Sequence, residues 1–142
     1  MKAYCCGFLF DGENNVLLVR KNRPAWQAGR LNGIGGKVEP GENPAEAMVR
    51  EFREETGLAI PLAAWREFCV LSGDNGDFPY AVHFFAATAS HTGFRSMTDE
   101  EIVQADADGL PPHVLPGLRW LVPLAKDPSV QMARITDVGP GG

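Results

Sequence analysis

Cysteine is scarce in this chain, and so are histidine, tyrosine and any long apolar run. Cys5, Cys6 and Cys69 are odd in number and lack CxxC spacing. That argues against a disulfide framework or a thiolate metal site and leaves buried, reduced thiols. His83, His91 and His113 are scattered, so each reads as a structural or surface residue rather than a ligand. No segment approaches the roughly 18 apolar residues that a membrane-spanning helix needs. The opening MKAYCCGFLF has one lysine, a short apolar run and no clear small-residue cleavage site. It reads as a first strand rather than a signal peptide, and the cytoplasm is the expected compartment. Positive charge is short as well: 13 Lys and Arg face 18 Asp and Glu, for a net charge of -5. Such a balance argues against a nucleic-acid polymer as partner. A single nucleotide stays open, because a metal can bridge its phosphates to carboxylates.

What is present is an ordinary globular composition, 44% hydrophobic and 22% charged over 142 residues. The expectation is one domain over residues 1–142 with a sizeable core, and no repeat or linker breaks it. Residues 3–10 and 16–20 are apolar and β-prone around Asp11-Gly12-Glu13-Asn14-Asn15, the pattern of a hairpin. Arg20, Lys21 and Arg23 then form the one dense basic cluster before the middle of the chain, either a phosphate contact or a solvated loop. Gly35-Gly36 reads as a glycine-rich turn, with Lys37-Val38-Glu39 as a short strand beside it. Residues 62–72 and 80–89 read as a second hairpin around the 73–77 turn. Thr98 is placed to cap a short helix over Asp99–Ala105, Leu118–Val122 reads as a strand, and Pro123-Leu124 as the entry to a last short helix. The GPGG tail is expected to fray.

The most informative stretch is GGKVEPGENPAEAMVREFREETGL, Gly35 to Leu58. Asn43 can cap a helix, Pro44 suits its first position, and Glu46 completes an approximate capping box. Ala45, Ala47, Met48, Val49 and Phe52 supply an apolar side, Gly57 a left-handed stop, and Pro61 prevents continuation. The spacing predicts a helix over residues 44–56. Glu51, Glu54 and Glu55 then share its other face at i, i+3 and i, i+4. Like charges so placed oppose the helix by roughly 0.2–0.5 kcal/mol per pair. Arg50 offsets part of this through Glu54, and a hard divalent cation such as Mg²⁺ or Mn²⁺ would relieve the rest. Taken alone, an acidic face of this kind is more often solvated than metal-bound.

The wider spacing changes that balance. Gly36, five residues, Glu42, seven residues, then Arg50-Glu51-Phe52-Arg53-Glu54-Glu55-Thr56-Gly57-Leu58 resembles the Nudix box at each fixed position, with Phe52 where an aliphatic residue is more usual. The box covers about a sixth of the chain. The resemblance implies an α/β/α sandwich around a mixed sheet, an α/β class that pattern alone leaves open. It also implies a Mg²⁺-dependent hydrolase (Mn²⁺ a substitute) of a nucleoside diphosphate linked to another group. By the same resemblance Glu51, Glu54 and Glu55 are metal ligands, joined by the Gly35 carbonyl, with Arg50 and Glu42 holding them in place. The general base is either a box glutamate or an acidic residue in a later loop, where Glu100 and Glu101 are the candidates.

Asn32-Gly33-Ile34-Gly35-Gly36-Lys37-Val38-Glu39 resembles the same stretch of the MutT-like branch, which hydrolyses oxidised purine nucleoside triphosphates to monophosphate and pyrophosphate. That implies a base contact for Asn32, with Arg23, Trp26 and Lys37 as further substrate-binding candidates. Trp26 or Trp120 is available for stacking, and Trp120 reads rather as core. Pro79 and Tyr80 lie too far past the box to be the marks of the ADP-ribose and dinucleoside-polyphosphate branches. Two readings compete with a triphosphate hydrolase: an ADP-ribose or nucleotide-sugar pyrophosphatase, and an inactive nucleotide-sensing module.

Overall fold

The computed structural model describes residues 1–138, so the expected fraying of the GPGG tail lies outside the described residues. The chain runs β1 (Lys2–Phe10), β2 (Asn15–Arg20), a 3₁₀ turn at Ala25–Gln27, β3 (Leu31–Asn32) and β4 (Ile34–Lys37) into α1 (Pro44–Thr56). A second 3₁₀ turn at Leu62–Ala64 leads to β5 (Arg66–Asp74), β6 (Pro79–Thr88), β7 (Glu101–Asp106), α2 (Leu118–Lys126) and β8 (Ala133–Asp137).

The strands form one mixed sheet ordered β3-β2-β1-β6-β5-β8, with β4 also pairing β1 and β7 also pairing β2. β1 runs parallel to β6, and β5 parallel to β8; the other pairs are antiparallel. Both expected hairpins form. Alternation along β1 sorts its side chains by face: Cys5 and Leu9 join the core under α1, while Cys6, Phe8 and Phe10 join the one under α2. Helices therefore cover both faces, the expected α/β/α sandwich. Gly7 lies on the α1 side, where a Cβ would come within 2.7 Å of the Met48 sulfur, so its bare backbone lets helix and sheet close up.

α1 has the predicted bounds. Asn43 Oδ1 accepts from Glu46 N, Glu46 Oε1 accepts from Asn43 N, each at 2.9 Å, and Gly57 ends the helix at φ 79°. Ala47, Met48 and Phe52 are fully buried beneath it.

Five expectations are corrected. Gly35-Gly36 is not a turn but extended strand in β4, in register with Cys6 and Cys5 of β1. Residues 62–72 are not one strand, since a 3₁₀ turn precedes β5. The acidic stretch expected as a helix over 99–105 is β7, drawn out by six residue pairs with β2. Leu118–Val122 is the start of α2, with Leu118, Leu121, Val122 and Ala125 buried at i, i+3, i+4 and i+7. Pro123 sits inside that helix on its exposed side, where water can take up the carbonyl its missing N–H leaves unpaired. Trp120 faces outward on the same helix, 42% exposed, and is not core.

Candidate active site

Across the sheet from α2, β4 runs under the polar side of α1. A Cβ on Gly36 would lie 2.6 Å from the Glu51 carboxyl carbon, so this glycine leaves the space that the carboxylate fills. At Gly35 a Cβ would strike the Cys5 carbonyl oxygen of the neighbouring strand. At Gly35 the clash is with backbone and only glycine fits, whereas a side chain at Gly36 would displace the Glu51 carboxylate.

Arg50 organises the acidic face. Its Nε and Nη2 donate to the two Glu42 oxygens at 2.7 and 2.9 Å, and Nη1 donates to Glu51 at 2.9 Å. Nη1 also reaches Glu54 at 3.3 Å, and Nη2 donates to the Lys37 carbonyl at 3.0 Å. The bidentate pair with Arg50, helped by the Glu39 backbone, holds the Glu42 carboxyl down to about 2. Hydrogen bonding to Glu42 pushes the guanidinium still further up. Glu42 thus ties the loop before α1 to the helix and fixes the arginine among the other carboxylates.

The three helix glutamates differ in setting. The Glu54 side chain is 55% exposed. Glu55 is 8% exposed, and its Oε2 is buried with no hydrogen-bond partner among the described residues. Burial, then the charge of Glu51, raise the Glu55 carboxyl well above the ordinary carboxylate range, and Lys21 opposes them. A buried carboxylate oxygen without a donor is costly. Here it lies beside a second carboxylate, that of Glu51. This donor set of carboxylate and carbonyl oxygens fits a hard divalent cation. Among the described residues no three acidic, cysteine or histidine side chains converge on one point; Glu51 and Glu54 are each paired with Arg50.

Glu100 reaches this site from the other end of the chain. It is buried; Oε1 accepts from Lys21 Nζ at 2.9 Å, and Oε2 accepts from the Asn22 backbone at 2.6 Å. Burial alone would raise its carboxyl, but the Asn22 amide and the Lys21 ammonium outweigh it and hold it below the ordinary range. Its charge is also felt at Glu55. Glu101 points elsewhere, paired with Arg20 at 3.2 Å on an exposed stretch of β7. The segment leading into Glu100 is pinned to the end of α1, since Arg95 N donates to Thr56 O and Met97 N to Glu55 O.

The substrate-side candidates are dispersed around the 21–37 loop. Arg23 is exposed and pairs with Asp99. Trp26 is 70% exposed, and the Lys37 side chain is exposed on β4. Asn32 Oδ1 accepts from the Gly33 backbone at 2.8 Å, and its Nδ2 donates to Gln27 Oε1 at 3.2 Å. The pairing of Lys21 with Glu100 and of Gln27 with Asn32 is what the sequence did not reveal. Lys21 was visible as part of the basic cluster, but its partner lies 79 residues away, and no local signal marks Gln27.

Among the described residues, no helix is long and apolar enough to cross a membrane. The NUDIX domain model matches residues 2–129. The 8-oxo-dGTP diphosphatase of Escherichia coli (strain K12) is 38% identical over 52 residues, 37% of this chain and 40% of that protein. An uncharacterized Nudix hydrolase, YvcI, of Bacillus subtilis (strain 168) is 34% identical over 92 residues, 63% of this chain and 55% of that protein. The matched stretches thus span from under half to just over half of these relatives. The crystal structure of a MutT NUDIX hydrolase from Burkholderia pseudomallei superposes with a TM-score of 0.73 at 22% identity, over 87% of this chain and 96% of that one. With the family model spanning nearly all of the described residues and the same fold in that structure, the chain belongs to the Nudix family.

Proposed function

We propose that the protein hydrolyses a phosphoanhydride bond in a nucleoside diphosphate linked to another group, and specifically a nucleoside triphosphate to monophosphate and pyrophosphate. Oxidised purine triphosphates are included in that class. Mg²⁺ is the proposed cofactor, and Mn²⁺ a substitute. The carrying observation is the buried, unpartnered Glu55 oxygen beside the Glu51 carboxylate, a place where an oxygen-seeking cation relieves a cost the fold otherwise bears.

Glu51, Glu54, Glu55 and the Gly35 carbonyl would hold the cation. Once bound it supplies charge neutralisation at the phosphate oxygens and acidifies a water. Arg50, clamped by Glu42, keeps the Glu51 and Glu54 carboxylates oriented. Of the two candidate bases outside the helix, Glu100 is the one supported by position, being buried with its charge felt at Glu55, whereas Glu101 lies exposed on β7. Glu100 is held ionised by its neighbours, the form that accepts a proton. Lys21 and Arg23 offer cationic contacts for the phosphate chain, Lys37 a further one, and Trp26 an exposed ring for the base.

The test is a panel of nucleoside triphosphates, ADP-ribose and nucleotide sugars incubated with Mg²⁺ and resolved by product chromatography. The expected result is monophosphate plus pyrophosphate from triphosphates, abolished by EDTA. Turnover confined to ADP-ribose or sugar nucleotides overturns the triphosphate assignment, and no turnover of any member overturns the enzyme.

A further inference from the structure

The loop between β2 and β3 carries a chain of side-chain amides whose orientation can be deduced. Its neck is closed by two backbone bonds, Lys21 N to Arg30 O at 2.9 Å and Gly29 N to Lys21 O at 2.7 Å. Within it, Gln27 N donates to Pro24 O and Arg30 N donates to Gln27 O, both at 2.9 Å, so the Gln27 backbone is held from both sides. Gln27 is half-buried at the foot of the 3₁₀ turn that exposes Trp26.

Oxygen and nitrogen of an amide side chain look alike, but here the backbone decides between them. The Gly33 N–H can only donate, so the Asn32 atom facing it at 2.8 Å is Oδ1. Nδ2 must then face Gln27, and the Gln27 atom that accepts from it at 3.2 Å is Oε1. The Gln27 NH₂ is consequently turned the other way. It carries no hydrogen bond among the described residues. An oriented donor pair thus lies one residue along the chain from an exposed indole.

Asn32 lies three residues before Gly35, no more than about 10 Å along extended chain. The ribose of a nucleotide can span that interval if the phosphates lie at the carboxylate face. Building on the nucleotide reading above, we infer that Gln27 is a specificity-determining residue whose NH₂ recognises the 6-oxo group of a purine, with Trp26 as the stacking surface and Asn32 as the positioning residue that sets the Gln27 amide. A 6-oxo group accepts from that NH₂. A 6-amino group meets it donor to donor, and a site built around a donor penalises such a base.

IMP and AMP isolate the feature, since they differ only in the 6-substituent and the N1 proton that accompanies it. The experiment is isothermal titration of the full chain with each monophosphate in EDTA, so that neither catalysis nor metal enters the reading. Wild type is expected to bind IMP about tenfold more tightly than AMP, the worth of one hydrogen bond gained or blocked. Gln27→Glu keeps the acceptor toward Asn32 and replaces the free donors by an acceptor. Asn32→Asp keeps the acceptor for Gly33 N but turns an acceptor toward Gln27, which then reverses its amide and exposes Oε1. Both variants are expected to move the IMP:AMP ratio toward AMP by about tenfold or more. Their added negative charge weakens both nucleotides alike and cancels in the ratio, and circular dichroism checks that each is folded.

A wild-type ratio within twofold, no binding of either nucleotide at millimolar concentration, or an unmoved ratio in Gln27→Glu overturns the inference. Movement in Gln27→Glu but not in Asn32→Asp overturns the relay through Asn32. Selective binding without hydrolysis of any triphosphate would instead remove the proposed reaction and leave this base-reading site intact.

Discussion

Glu51, Glu54 and Glu55 share a helix face but not an environment, and the difference separates a functional loss from a structural one. Glu54 is largely solvated, so Glu54→Gln removes a charge at little stability cost. Glu55→Gln replaces a buried carboxylate that has an unpartnered oxygen, which relieves desolvation and like-charge repulsion. Thermal melts of metal-free protein should therefore show an unchanged midpoint for the first variant and an equal or higher one for the second. Turnover with Mg²⁺ should fall in both by at least about tenfold, a loss usual even for groups that only brace a ligand. Near-wild-type turnover in both would remove the metal role of this face. The same contrast separates the two candidate bases. Glu100→Gln should lower kcat with little change in substrate Kd, while Glu101→Gln, at an exposed position on β7, should not. Equal kcat in both variants and in the double variant would return the base to the helix.

Helix α1 was legible because its code is local. Asn43, Pro44, Glu46 and Gly57 punctuate it, and its apolar positions recur at the helical period. Asn43→Ala should accordingly cost about 1 kcal/mol, read as a lower urea midpoint with unchanged slope; no change would mean that packing alone holds the first turn. The Glu42 strap adds a pH dependence. Its carboxyl is depressed in the folded chain, so the pairing with Arg50 contributes fully above the unfolded value near about 4.3. That contribution disappears as pH falls through about 2. In urea melts, the gap between wild type and Glu42→Gln should therefore be widest near neutrality and close across that window; a constant gap would show that Glu42 acts through packing instead. Where the determinants were not local, the reading failed. β7 is acidic and short, and what extends it is β2, 81 to 91 residues earlier along the paired positions from Arg20↔Glu101 to Asn15↔Asp106. The 118, 121, 122, 125 spacing of α2 was present, but LRWLV is also a good strand sequence and Pro123 hid the continuation. The two glycines of β4 have no side chains to show a period, so only pairing with β1 reveals them as strand. Within the site, the acidic face and its glycines were readable, whereas the Lys21–Glu100 pair depends on folding to bring its partners together.

At the scale of the molecule, the sheet joins distant parts of the chain, and the cysteines report on its integrity. Cys5 and Cys6 are consecutive on β1, which pairs with β2, β4 and β6, and so they face opposite cores; Cys69 lies on β5. Burial pushes the Cys5 thiol up to about 12 and raises the other two as well. The thiolate is the reactive form, so at pH 8 the folded protein presents neither an accessible nor an ionised sulfur. Native protein should thus resist Ellman's reagent over minutes, while three equivalents react at once in concentrated guanidinium. Because Cys5 and Cys6 belong to the two different cores, local fraying of one helix cannot expose both. Their modification should proceed together, at a rate set by opening of the whole sheet and slowed by whatever stabilises the folded state. Mass spectrometry of partly labelled samples should show unlabelled and fully labelled chains with few intermediates. Rapid native labelling of Cys5 alone would mean that α1 and β4 lift from the sheet independently, and that the carboxylate face lies on a mobile element.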